Sequence, residues 1–106
     1  MRTSIPTLIL SALSLFASIA TADLHYSGLC VDYVGDQPVY NDAATQAACT
    51  AYKNRNTGGE QWDTCPDCAM QTVGGLPSCH SPAQHIGGDE LSYYCEKNGS
   101  GGSLAD

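Results

Sequence analysis

The six cysteines constrain the fold of this chain more than any other feature. They are Cys30, Cys49, Cys65, Cys68, Cys79 and Cys95, with no odd one left over. A small core with few large apolar residues seldom supplies more than about 3–5 kcal/mol of net stability. Each disulfide typically adds about 2–4 kcal/mol by restricting the unfolded chain. In an oxidising compartment the even count therefore predicts three disulfides, in a pairing that the sequence leaves open.

The first 22 residues have the pattern of a secretory signal peptide. Arg2 gives a basic start, and an uncharged stretch follows, with an apolar run from Leu8 to Ile19. It ends in Ala20-Thr21-Ala22, the small-x-small pattern of a cleavage site. We expect a signal peptide at residues 1–22 and a secreted, extracellular mature chain that begins at Asp23. The alternative, a membrane anchor, is disfavoured by the terminal position and the cleavage pattern.

The charge balance excludes several classes of partner. The chain has 4 Lys and Arg against 11 Asp and Glu, for a net charge of -7. Nucleic-acid binding depends on many basic contacts to phosphates, and only Lys53, Arg55 and Lys97 follow Asp23. No later stretch approaches the roughly 20 apolar residues of a spanning helix. We expect no nucleic-acid partner, no membrane association, no cofactor and a monomeric protein.

The first half of the mature chain reads as a strand pair followed by a helix. Apolar residues alternate from Leu29 to Tyr33, and Pro38–Tyr40 can return as a second strand. Small residues then recur at helical spacing from Ala44 to Tyr52, after a capping position at Asn41 or Asp42. This pattern predicts one helix with a narrow face that can approach a sheet closely.

The second half reads as strands and turns. Residues 68–73 and 76–80 can form a hairpin around Gly74-Gly75, and Leu91, Tyr93 and Cys95 alternate as in a last strand. Residues 98–106 are rich in Gly and Ser, which predicts a flexible tail. The predicted fold is a single α+β domain over residues 23–97. One helix packs on a short antiparallel sheet, stapled by disulfides.

Two chemical interpretations of the cysteines compete with structural disulfides. Cys65-Pro66-Asp67-Cys68 is a CxxC, the spacing of redox enzymes, but the acidic flanks Asp63 and Asp67 disfavour a thiolate. Cys65, Cys68 and Cys79 could also join His80 and His85 in a zinc site if the thiols were reduced. Secretion and an even cysteine count favour disulfides over both.

Catalysis is not expected from this sequence. The carboxylates Glu60, Asp63, Asp67, Asp89 and Glu90 could in principle serve a glycosidase. They have no fixed spacing that indicates an acid–base pair, and an acidic surface offers such groups without function. We therefore expect a protein that is not an enzyme and has no catalytic or metal-binding residues.

Asn98-Gly99-Ser100 is an acceptor sequence for N-glycosylation. Because the chain is expected to pass through the secretory pathway, a glycan at Asn98 is a reasonable expectation. The sequence does not determine whether the site is occupied.

The whole mature chain resembles fungal small secreted cysteine-rich proteins, the class that includes effector candidates of plant-associated fungi. The resemblance lies in the signal-like start, the short acidic chain and the six cysteines. It also lies in residues 51–58 and 62–68, Ala-Tyr-Lys-Asn-Arg-Asn-Thr-Gly and Trp-Asp-Thr-Cys-Pro-Asp-Cys. It implies binding to a host or competitor protein that modulates immunity or virulence. Exposed aromatic residues usually carry such recognition, so Trp62, Tyr93 and Tyr94 are the candidates. Trp62 is equally compatible with a place in the core.

A second, local resemblance gives an alternative function. Asp63-Thr64-Cys65-Pro66-Asp67-Cys68 is similar to the Asp-x-Cys-Pro-x-Cys segment of barwin-like and expansin-like double-psi β-barrels. That resemblance implies binding or loosening of cell-wall glycan, with Asp63 in a sugar-binding groove. A third hypothesis, an antimicrobial or killer-type toxin, is disfavoured because membrane-active proteins are usually cationic.

Overall fold

The computed structural model describes residues 24–106, and the predicted signal peptide lies outside the described residues. The elements are β1 (Leu24–His25), β2 (Ser27–Val34), β3 (Gln37–Tyr40), α1 (Asp42–Lys53), a 3-10 helix (Gln61–Asp63), β4 (Ala69–Val73), β5 (Leu76–His80), β6 (Ile86–Gly87), α2 (Gly88–Lys97) and β7 (Gly102–Ala105). Neither helix of this part of the chain is long and apolar enough to cross a membrane.

Strand β2 is the centre of the main antiparallel sheet because both of its edges are paired. Gly28 pairs with β5 and β7 at once, and Val31 pairs with β3 and β7. Strands β3 and β5 therefore share one edge of β2, and β7 covers the other. Between β3 and β5 the Thr45 hydroxyl replaces a strand partner. It accepts from the Cys30 N–H at 2.9 Å and donates to the Asn41 carbonyl at 2.7 Å.

The outer strands complete this arrangement. Strand β4 pairs with β5 through the predicted hairpin at Gly74-Gly75, where both glycines have positive φ. The short strands β1 and β6 form a separate two-stranded sheet. This pairing confirms the hairpin prediction. Glycine suits both turn positions because it adopts a positive φ without strain.

Helix α1 forms where the sequence predicts it. The Asn41 side chain caps the first turn by accepting from the Ala44 N–H at 2.9 Å. The face formed by Ala44, Ala48 and Tyr52 is buried, and small side chains on it allow close packing against the sheet. The helix ends at Lys53, with Asn54 as its C-terminal cap.

The predicted last strand around Leu91 and Cys95 is wrong, because Gly88–Lys97 is the helix α2. Leu91 and Cys95 lie four residues apart and are both buried, so they share one face of that helix. Acidic residues in its first turn and Lys97 in its last turn suit the helix dipole. Two helices therefore pack on the antiparallel sheet, where the sequence predicted one.

The predicted flexible tail also needs correction. Gly102–Ala105 forms β7 and pairs with β2 over four residues, from Gly28 to Val31. The Gly101 N–H donates to the Val31 carbonyl at 2.9 Å. A Cβ on Gly101 would come within 3.0 Å of the Tyr33 ring, so the glycine lets the chain pass close to β2. The Gly- and Ser-rich stretch that resembles a linker in composition therefore includes the edge strand β7.

Three disulfides hold these elements together, as predicted. Cys30–Cys95 ties β2 to α2, Cys49–Cys79 ties α1 to β5, and Cys65–Cys68 closes the CxxC turn. All six cysteines are buried in one core with Tyr52, Ile86 and Leu91. The chain is therefore a small disulfide-rich α+β domain, which confirms the predicted fold class.

Candidate functional site

An open groove lies where the loop after α1 meets α2. It has a volume of about 360 Å³ and is lined by Arg55, Thr57, Asp89, Glu90, Tyr93 and Tyr94. We call this surface the Arg55 groove. It includes two of the four residues predicted to bind a partner, Tyr93 and Tyr94, and a third, Asp63, lies directly behind Arg55.

Arg55 connects the parts of this groove. Its guanidinium carbon lies 5.7 Å from the centre of the Tyr94 ring and 5.9 Å from that of Tyr52. Its Nη2 lies 3.8 Å from Asp63 Oδ1, and its Nε donates to the Thr57 hydroxyl at 2.8 Å. Cation–π contacts of this kind add about 0.5–1 kcal/mol at exposed sites. The arginine therefore fixes the loop against α2.

Asp63 has a structural task in this loop. Its Oδ2 accepts from the Glu60 N–H at 2.9 Å and so caps the 3-10 helix. A Cβ on Gly58 would clash with the same carboxylate, so the glycine before the helix makes room for it. Both oxygens of Asp63 are thus engaged within the chain, by Glu60 and by Arg55.

Trp62 lies behind the groove and is half-buried. Its carbonyl accepts a hydrogen bond from the Tyr52 hydroxyl at 2.7 Å, and its Cβ lies close to Gly87 at the start of α2. The structure therefore joins Trp62 to the packing between the 3-10 helix and α2 and does not place it among the groove-lining residues.

Tyr93 and Tyr94 are the aromatic residues of the groove. Their ring centres lie 5.1 Å apart in an edge-to-face arrangement, and Tyr93 is 54% exposed. Lys97 lies over the outer face of the Tyr93 ring at 5.5 Å. The Cys30–Cys95 disulfide anchors the same helix to β2 one residue beyond Tyr94. The groove thus presents aromatic surface from a rigid support.

Sequence reasoning missed Arg55 as the centre of this site. Arg55 is the only arginine after Arg2, which is a usable signal because a lone arginine in an acidic chain tends to be paired. No sequence feature, however, relates residue 55 to residue 94. Arg55 meets Tyr94 only because residues 88–97 form α2, and the alternation of apolar residues there had predicted a strand.

The Tyr52 hydroxyl ties the base of the groove together. It donates towards the Trp62 and His85 carbonyls, at 2.7 Å and 3.1 Å, and accepts from the Gly87 N–H at 3.1 Å. Burial raises the pKa of Tyr52 to about 12, although the hydrogen bond from Gly87 opposes the shift. This phenol is therefore a neutral structural link between α1, the 3-10 helix and the start of α2.

The CxxC turn has its own polar support. Asp67 accepts from the Ser81 hydroxyl at 2.7 Å and from the Ala83 N–H at 2.8 Å. Burial raises the pKa of Asp67, but these hydrogen bonds outweigh it and the pKa lies below its usual value. The cysteines that a redox or zinc site would need as thiolates are all in disulfides. Of the two predicted histidine ligands, His80 bonds the Ser27 hydroxyl and His85 bonds the Gln61 carbonyl.

Asn98 of the predicted glycosylation sequence is exposed at the end of α2. Its side-chain amide donates to the Tyr94 carbonyl at 2.8 Å. Ser100 of the same sequence is 9% exposed, and its hydroxyl donates to the Gly102 carbonyl at 3.3 Å. A glycan on Asn98 would point to solvent, and its transfer would have to precede the burial of Ser100.

These features define a class of protein: a small cysteine-rich α+β domain, fixed by three buried disulfides. The particular family follows from comparison with known families. The family model of biotrophy-associated secreted protein 4 (BAS4) matches residues 23–103, so the chain belongs to that family. Searches of curated proteins and of solved structures found no match.

The comparisons do not support the alternative functions. The family match gives a secreted effector-like protein and no relation to barwin-like or expansin-like barrels. Asp63, which would lie in the sugar-binding groove of such a barrel, caps the 3-10 helix and pairs with Arg55. The local motif thus has a structural explanation in this chain.

Proposed function

We propose that this protein is a non-enzymatic effector that binds a plant host protein outside the fungal cell and thereby modulates immunity. The observation that carries the proposal is the match of residues 23–103 to a family of biotrophy-associated secreted proteins. Biotrophic growth depends on living host tissue, so a secreted protein of this kind meets host proteins first. We place its action in the apoplast, the space between host cells, as a monomer.

We propose the Arg55 groove as the binding surface. Tyr and Arg are enriched at protein interfaces, and rigid aromatic anchors contribute most of the affinity. Tyr93 offers an exposed ring on a helix that a disulfide ties to the sheet. Binding would therefore cost little ordering entropy in this protein, because the anchors are already in place.

The charge of the groove favours a basic partner surface. Asp89 and Glu90 line it, whereas the charge of Arg55 is paired with Asp63. The chain as a whole has a net charge of -7. A partner with exposed Lys or Arg would be steered towards such a surface, and its association rate would fall with increasing salt.

The test is capture of partners from apoplastic fluid of a host plant by the secreted protein, followed by affinity measurement with the captured partner. We expect Tyr93→Ala to weaken binding at least about ten-fold, as for an interface anchor. Leu76→Ala is the matched control, because Leu76 is similarly exposed at 43% but lies on β5, outside the groove.

Two outcomes would contradict the proposal at different levels. Equal binding by wild type and Tyr93→Ala, with loss in Leu76→Ala, would place the interface on another surface. If a fungal strain that lacks the gene shows unchanged infection and an unchanged host response, the proposed effector function itself is wrong.

A further inference from the structure

The CxxC turn lies against a second disulfide, an arrangement that the proposed function does not use. The sulfur atoms of Cys49, Cys68 and Cys79 all lie within 4.8 Å of one another. Cys49 and Cys79 are bonded to each other, whereas Cys68 is bonded to Cys65. One member of the short disulfide is therefore close to both sulfur atoms of a long-range disulfide.

Access to this cluster is uneven. A surface depression of about 180 Å³ is lined by Cys49, Cys68 and Lys53, among others. Cys68 and Cys49 are each 3% exposed, whereas Cys65 and Cys79 are fully buried. An external thiolate that enters the depression meets Cys68 and Cys49, one sulfur of each disulfide, and not Cys65 or Cys79. The positive charge of Lys53 in the lining favours an anion there.

The three disulfides differ in how much of the fold depends on them. Cys65–Cys68 spans 3 residues, against 30 for Cys49–Cys79 and 65 for Cys30–Cys95. Because the stabilisation by a disulfide grows with the length of the closed loop, the CxxC bridge contributes least. Its turn is also held by the Cys68 N–H to Cys65 carbonyl bond and by Asp67. Opening it should leave Cys68 in place.

We propose that the Cys65–Cys68 disulfide is a thiol-modification site, at which a low-molecular-weight thiol such as glutathione attacks Cys68 and frees it to exchange with Cys49–Cys79. In the first step a thiolate bonds to Cys68 Sγ and the Cys65–Cys68 bond breaks. The electron pair leaves on Cys65 Sγ, which takes a proton from water. Asp67 Oδ1 lies 3.8 Å from that sulfur and can accept a hydrogen bond from the released thiol.

A second thiol then completes the reduction. It attacks the external sulfur of the mixed disulfide, which yields a small-molecule disulfide and the Cys68 thiolate. The short bridge has now been reduced by two electrons, and two external thiols have been oxidised. The Cys68 thiolate next attacks Cys49 or Cys79, forms a new disulfide and releases the other sulfur as a thiolate. This last exchange needs no further oxidant or reductant.

The first test uses the secreted mature protein in glutathione buffers of increasing reduced fraction. After acid quenching and alkylation, peptide mapping identifies the free cysteines and the linked pairs. We expect label on Cys65 first, together with peptides that link Cys68 to Cys49 or Cys79, while Cys30–Cys95 stays closed. The proposal is wrong if Cys30–Cys95 or Cys49–Cys79 opens first, or if Cys49–Cys79 stays intact after the CxxC bridge has opened.

A matched pair of variants tests the role of Cys68 without added thiol. Cys65→Ser leaves Cys68 as a permanent thiol within the cluster, so we expect the purified protein to contain Cys68 linked to Cys49 or Cys79. Cys68→Ser leaves Cys65 as the thiol, and we expect the native Cys49–Cys79 pair. If both variants contain the native Cys49–Cys79 pair, the proposed exchange is refuted. If either variant fails to fold, the titration of the wild-type protein decides the question.

Discussion

Replacing Tyr52 with Phe removes one oxygen atom that connects three segments of the chain. The Tyr52 hydroxyl has one proton, which it shares between the Trp62 and His85 carbonyls, and it accepts from the Gly87 N–H. Phe fills the same space, so no cavity forms. The substitution therefore measures the loss of hydrogen bonds in a fully buried position.

The expected loss of stability follows from those bonds. Two hydrogen bonds contribute about 0.5–1.5 kcal/mol each, and a buried group left without a partner costs about 1–3 kcal/mol, so we expect a loss of about 2–6 kcal/mol. In a domain of this size that loss lowers the Tm by at least about 8 °C. Thermal and urea unfolding, with the disulfides intact, would measure both quantities.

Tyr33→Phe is the control for this prediction. Tyr33 is 52% exposed, and its hydroxyl has no hydrogen-bond partner among residues 24–106. Its loss should change the free energy of unfolding by less than about 0.5 kcal/mol. If Tyr52→Phe is no more destabilising than Tyr33→Phe, the Tyr52 hydroxyl does not link the segments and the account of the groove's base is wrong.

The same residue gives a pH dependence with a defined sign. In the unfolded chain Tyr52 loses its proton near its ordinary pKa of 10.0, whereas burial raises the pKa to about 12 in the fold. The folded state therefore binds more protons between these values, and stability decreases as pH increases. The contribution is complete below pH 10.0 and is lost as pH rises to about 12. Tyr52→Phe should show a smaller loss across that interval.

Two further predictions concern Asp67 and Asn98. The pKa of Asp67 lies below its ordinary 3.8, so its stabilisation is present above that pH and is lost as pH falls through the lower folded value. Asp67→Asn should therefore flatten the acid side of the stability curve, measured by circular dichroism; an unchanged acid slope would show that the Ser81 and Ala83 bonds do not matter. Protein secreted from yeast should lose mass on treatment with an N-glycosidase, and Asn98→Gln should abolish that loss. Equal masses before and after treatment would show an unoccupied site.

The parts of the fold that were predicted correctly, α1 and the β4–β5 hairpin, have local signals. Asn41 caps α1, small residues recur at helical spacing on one face, and Gly74-Gly75 supplies the positive φ of a hairpin. Each of these features acts within a few residues of itself, so no knowledge of the rest of the molecule is needed. The count of cysteines likewise fixed the number of disulfides.

The stretch from Gly88 to Lys97 was mispredicted because one pattern fits two structures. Leu91, Tyr93 and Cys95 alternate as in a strand, but Leu91 and Cys95 also have the spacing of one helix face. The acidic residues before Leu91 and Lys97 at the end favour the helix, and this signal outweighs an alternation of three residues. Strand β7 had no comparable signal, because Gly102–Ala105 is ordered by pairing with β2.

The pairing of cysteines illustrates what sequence cannot supply. Cys68 has Cys65, Cys49 and Cys79 within reach, so even the folded structure brings together more than one possible partner. Sequence separation alone could not choose among them. The choice depends on the turn that Asp67 holds through Ser81 and Ala83, and neither partner of Asp67 is near it in sequence.

The Arg55 groove and the sulfur cluster can be tested independently, although only Thr64 separates Asp63 from Cys65. Asp63 is held from the other side, by the Glu60 N–H and the Arg55 guanidinium, and Trp62 is held by the Tyr52 hydroxyl. None of these contacts involves the CxxC turn. Opening Cys65–Cys68 should therefore leave partner binding through Tyr93 unchanged. Suppose that the protein with an opened Cys65–Cys68 bridge still exchanges disulfides but no longer binds its partner. That result would show that the 3-10 helix transmits the state of the CxxC turn to the Arg55 groove.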